Sequence, residues 1–168
     1  MLPRSHHFSC SDERAGVIVG IFAGTESNEQ DCERSIDAIT RSDAAAARNN
    51  LPHVCVYVTS KETPAPPPVW RRRMAASNNQ LSAQSHHFAL VSPNVLIRGV
   101  FTAINWLTQP RVGHHLAAFA TFDAAAEWVR GETGKPYPEL EKLYAEARAN
   151  LGREKAGSGK IARANLAK

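Results

Sequence analysis

The sequence predicts an α/β protein: a mixed four- to five-stranded sheet with packed helices, in the order β-β-α-β-α-β-α-β-α, with an extra C-terminal helix. Three observations carry this. From His86 to Arg130, short apolar runs alternate with stretches of helical period, the repeat of an α/β layer. His53–Thr59 (HVCVYVT) is rich in β-branched residues and bounded by Pro52 and by Ser60-Lys61. Residues 6–12 and 15–23 are two further strand-like runs joined only by a turn at Asp12–Arg14.

The second of these runs, AGVIVGIFA, is apolar on both faces, so it belongs in a sheet covered on both sides. A helix follows from about Asn28 to Asn49. Ser27 or Asn28 can cap it, and Glu29, Asp31 and Glu33 suit the positive end of its dipole. Leu51-Pro52 blocks its continuation. After the third strand, Thr63–Pro68 (TPAPPP) is too proline-dense for regular structure. Pro68 can open a second helix, expected over about Val69–Ala83 with Trp70, Met74 and Leu81 buried. Phe88–Val91 is the fourth strand, and a long apolar helix is expected from Asn94 to Thr108, ending at the break Gln109-Pro110.

Leu96, Val100, Ala103, Ile104 and Leu107 form one stripe of that helix, which is read as its inner face. Ile97, Phe101 and Trp106 lie outside the stripe and need a second cover, either internal core or another subunit. His115–Ala120 is the fifth strand. Thr121 caps a short helix over Phe122–Val129 stopped by Gly131 and Gly134, and a last helix spans Glu139–Leu151. Residues 1–151 are thus expected to form a single domain, and the polar, Ala/Gly/Lys-rich residues 152–168 a disordered tail.

Of 168 residues, 43% are apolar and 21% charged, the profile of a globular chain. The net charge of +4 resides in the tail: Arg153, Lys155, Lys160, Arg163 and Lys168 face only Glu154, which leaves the body neutral. Nucleic acid is therefore expected only through the basic tail. Cys10, Cys32 and Cys55 are odd in number and lack CxxC spacing, which argues against a disulfide framework or structural zinc and for a reducing compartment. With no long apolar run, membrane insertion is not expected, and the expected location is cytoplasmic.

The two-strand start, HVCVYVT, and FALVSPNVLIRGVFTAINWL followed by LAAFATFDAAAEWV together resemble the STAS fold, the anti-sigma-factor-antagonist type of domain, and its looser bacterial relatives. The resemblance covers about residues 6–130 and rests on element order and apolar spacing. It implies a regulatory or scaffold role exerted by protein–protein contact, without chemistry. In true antagonists, a serine or threonine in an Asp-Ser-Ser/Thr-Gly-like turn follows the third strand. Here that place holds Thr59-Ser60-Lys61-Glu62-Thr63, without the Asp or the Gly, so a phosphorylation switch is not expected.

Few residues invite chemistry. Arg71, Arg72 and Arg73 open the second helix, where positive charge opposes the dipole unless an anion is near. With Ser60 and Lys61 in the loop above, they form a candidate anion site for a small anionic or lipid-like ligand. Three pairs, His6-His7, His86-His87 and His114-His115, each begin a strand, so the two members of a pair face opposite sides. They lack HxH or HxxxH spacing and are read as structural; no metal or cofactor is expected. GxSxG, GxGxxG and P-loop motifs are absent, and Gly157-Ser158-Gly159-Lys160 only mimics the last. The leading expectation is a non-enzymatic contact domain with a protein partner, self-associating as a homodimer through Ile97, Phe101 and Trp106.

Overall fold

The computed structural model describes residues 6–26, 28–107 and 111–166. Its elements are β1 (His6–Asp12), β2 (Val17–Ala23), α1 (Glu29–Arg48), β3 (His53–Thr59), α2 (Pro68–Asn78), β4 (His86–Val91), α3 (Val95–Leu107), β5 (His114–Phe119), α4 (Phe122–Thr133) and α5 (Pro138–Leu166). Ser27, Thr108, Gln109 and Pro110, and the side chains of Ile104, Leu107 and the tail beyond Arg153, lie outside the described residues. No described helix is long and apolar enough to cross a membrane.

The five strands form one mixed sheet in chain order. β1 runs antiparallel to β2, and β2 to β5 are parallel neighbours. Each parallel strand is added on the same side of its predecessor. Right-handed crossovers then require α1, α2 and α3 to lie on one face. Ile18, Cys55, Tyr57, Phe88 and Leu90 of the sheet accordingly pack with Ile39 of α1 and with Ile97 and Phe101 of α3. On the other face Val17, Val19, Val54, Val56, Ala89 and Val91 pack against Phe122 and Val129 of α4 and Leu140 and Leu143 of α5. Two covered faces explain why Val17–Ala23, Val54–Val58 and Phe88–Val91 are apolar on both sides rather than alternating.

Local chemistry sets the boundaries. Asn28 caps α1 by accepting from the Asp31 amide at 2.7 Å, and Thr121 caps α4 through the Ala124 amide. Gly134, left-handed at φ 70°, ends α4, whereas Gly131 is absorbed inside that helix. α4 therefore reaches Thr133, a turn beyond the Val129 end read from sequence. α2 is shorter than the expected Val69–Ala83 because the Asp43 carboxylate captures the Ser82 and Ala83 amides, at 2.6 and 3.2 Å. α5 continues in helical backbone to Leu166, past Leu151, where composition predicts a disordered tail. Ala, Arg, Glu and Lys in this stretch favour helix, whereas Gly152, Gly157 and Gly159 oppose it.

α3 is rotated from the expected stripe by about a quarter turn. Ile97 and Phe101 face the sheet and Val100 still lines the interior, while Leu96 is 68% exposed and Trp106 80%. One glycine also has a clear steric task. Gly20 pairs across β2–β3 with Tyr57, and a Cβ there would sit 2.3 Å from the tyrosine ring. The missing side chain lets that ring lie flat across β2.

Candidate functional site

A cavity of about 110 Å³ lies at the carboxyl ends of β2, β3 and β4, beneath α1, α2 and α3. That is the end of a parallel sheet where ligands are usually held. Its wall is aromatic. Phe22, Tyr57, Phe88 and Phe101 follow one another with centroid separations of 5.7, 6.0 and 5.2 Å. Ile36 and Ile39 of α1 and Ile97 and Val100 of α3 complete the apolar part.

Polar groups sit at the rim and are mostly engaged. The Thr59 hydroxyl donates to Ser92 Oγ at 2.8 Å. Asn28 Nδ2 donates to Asp31 at 2.8 Å, and Arg34 lies 3.6 Å from the same carboxylate. The Tyr57 hydroxyl is 3.4 Å from the Ser35 carbonyl and 3.2 Å from His7 Nε2. Burial pushes the Tyr57 phenol well above its ordinary range, and burial is also the main cause that brings His7 down to about 4. Both groups are therefore uncharged at neutral pH, and of the two carboxylates at the rim Asp31 is paired while Glu26 is exposed to solvent. The wall suits a neutral, ring-sized group.

The proposed anion site is arranged differently. Successive helix residues project roughly 100° apart, so Arg71, Arg72 and Arg73 fan out rather than converge. Arg73 lies 3.6 Å from Glu33 and stacks 4.3 Å over the Trp70 ring. The Ser60 hydroxyl is engaged with Thr63 Oγ1 at 2.9 Å, and Lys61 is exposed. Ile97 and Phe101, considered from sequence as interface residues, instead form part of the cavity wall, and only Trp106 of the three faces solvent.

The histidines assemble into rows that their sequence positions did not reveal. Register places His53, His86 and His114 side by side on the α1–α3 face, at the amino ends of the strands. His53 Nδ1 is 2.9 Å from His86 Nδ1, so one imidazole donates to the other, and Asp43 lies 3.6 Å from His53. Burial holds His53 at about 4 and His86 well below its ordinary range. The pair is neutral. On the opposite face, one row on, His87 and His115 stack at 5.1 Å beside Glu132 of α4. His6 and His7 pair with Ala23 and Phe22 at the other end of the sheet.

Comparison with protein-family models, with curated proteins and with solved structures finds no match.

Proposed function

We propose that this chain is a non-catalytic binding domain that takes a small, neutral, ring-bearing molecule into the cavity between the sheet and α1–α3. The aromatic lining at the carboxyl ends of β2 to β4 carries the reading. A cavity of comparable size in an apolar core accommodates a molecule such as benzene. The rim hydroxyls and amides of Thr59, Thr63 and Asn78 would orient a polar substituent. The STAS-like order of elements is consistent with a regulatory domain whose contacts depend on such a ligand.

Indole and benzyl alcohol are suitable probes, followed by thermal unfolding and by methyl NMR, with benzoate as the anionic control. The neutral probes should bind saturably and raise the unfolding midpoint, with about 2.7 kcal/mol of stabilisation at a hundredfold excess over Kd. Ile36→Trp should fill the cavity and abolish both effects while preserving the fold. Preference for benzoate, or unchanged binding in that variant, would overturn the assignment.

A second reading is favoured by the outer surface of α3, where Val95, Leu96 and Trp106 are 72, 68 and 80% exposed. Large apolar groups clustered on one helix favour protein contact there, including self-association.

A further inference from the structure

We propose that His87, His115 and Glu132 form a binding site for a divalent transition-metal ion of zinc's class, on the face of the sheet opposite the cavity. One donor atom from each residue lies within 4.8 Å of the others. Two strands and a helix bring them together. His87 and His115 are directly paired across β4 and β5, their rings nearly parallel at 6°. Glu132 arrives from the last turn of α4 with Oε2 3.1 Å from His115 Nδ1.

The second observation is an orphan nitrogen. His87 is only 4% exposed, and its buried Nδ1 has no hydrogen-bond partner. A polar atom so placed is costly to leave without a partner. Its other nitrogen, Nε2, lies 2.8 Å from Ser85 Oγ. With the proton on Nε2 and donated to Ser85, the Nδ1 lone pair is left available. This is how outer hydrogen bonds fix the tautomer of a metal-binding histidine. Two imidazoles and a carboxylate suit zinc and its neighbours rather than calcium or magnesium. The His115 and Glu132 side chains are 46 and 34% exposed, which gives an ion an entry path and leaves room for water as a further ligand.

The other histidine cluster is a poorer host. Asp43, His53 and His86 are sealed from solvent, and the Asp43 oxygens already accept from Ser82 and Ala83. Motif spacing could not reveal the proposed site. Its ligands come from separate elements, and the third lies beyond a glycine read as the end of its helix.

The test uses the full chain without an affinity tag, stripped with chelator and titrated with Zn²⁺ by calorimetry and with Co²⁺ by visible absorption. One equivalent should bind, with cobalt bands of a nitrogen–oxygen ligand set. Ser85→Ala should weaken binding by roughly 10–100-fold, and the His115→Ala/Glu132→Gln double variant by more than that. Both altered ligands are solvent-facing, so circular dichroism should show an unchanged fold. Absence of stoichiometric binding would overturn the proposal. So would unchanged affinity in the double variant, which would place the ion at another histidine cluster.

Discussion

Asp43 shows how much one buried side chain can organise. From the last turns of α1 it accepts from the Ser82 amide and hydroxyl at 2.6 and 2.9 Å and from the Ala83 amide at 3.2 Å. It thereby ends α2 and fixes the approach to β4. Asp43→Ala strands those donors in the interior and removes the neighbour of His53. The cost should be about 3–5 kcal/mol, since each stranded buried donor costs roughly 1–3 kcal/mol. At roughly 2–4 °C per kcal/mol for a chain of this size, the unfolding midpoint should fall by about 10 °C. A shift under about 3 °C by calorimetry would mean that water replaces the carboxylate. Sequence alone gave no hint of this role, because an aspartate late in a helix reads as a solvated surface charge.

At the scale of elements, period and punctuation made the fold class and the strand–helix order legible. HVCVYVT is β3 residue for residue, and Asn28 and Thr121 cap the helices they were expected to cap. Facing was legible only where one helix face is polar. α3 carries Leu96 and Ile97, then Val100 and Phe101, so periodicity offers two stripes and cannot choose between them. Packing against Phe88 chooses Ile97 and Phe101. The outer surface, with Trp106 at its far end, is then the region proposed above for protein contact. Trp106→Ser should lower the self-associated fraction in sedimentation while moving stability by no more than about 0.5 kcal/mol, as for other surface substitutions. An unchanged sedimentation profile would remove Trp106 from any self-contact.

For the molecule as a whole, histidine burial links stability to pH. His7 and His53 lie at opposite ends of the sheet, and burial chiefly holds both at about 4 instead of the ordinary 6.5. The unfolded chain therefore takes up these protons first. The stabilisation is complete above pH 6.5 and is lost progressively down to about 4, at up to about 1.4 kcal/mol per pH unit for each group. Urea midpoints measured from pH 8 to pH 4 should be level at first and then fall steeply below 6.5. A flat profile would show that these imidazoles charge without leaving the fold. Neither the cavity nor the histidine rows could be read from sequence, since both depend on strand register and on helices far apart in the chain. His53 stands alone in sequence and meets His86 only because β3 and β4 pair without offset.

The pairing of β4 with β5 has a further consequence. Leu116, Ala117, Ala118 and Phe119 are apolar on both faces, so hydrophobic patterning scarcely selects which side of β5 faces inward. Register is pinned instead by a few polar contacts: the His86 amide on the Gly113 carbonyl, the Ser92 amide on that of Phe119, and His114 on the Ala83 carbonyl. Gly113, at φ 78° with no space for a Cβ beside the Gln84 carbonyl, holds the first of these in place. If this edge strand detaches, it uncovers β4, all six of whose residues are buried. The newly bared edge is an invitation to intermolecular strand pairing. Resistance to aggregation is thus set at the border of the sheet, by contacts much weaker than the core they guard.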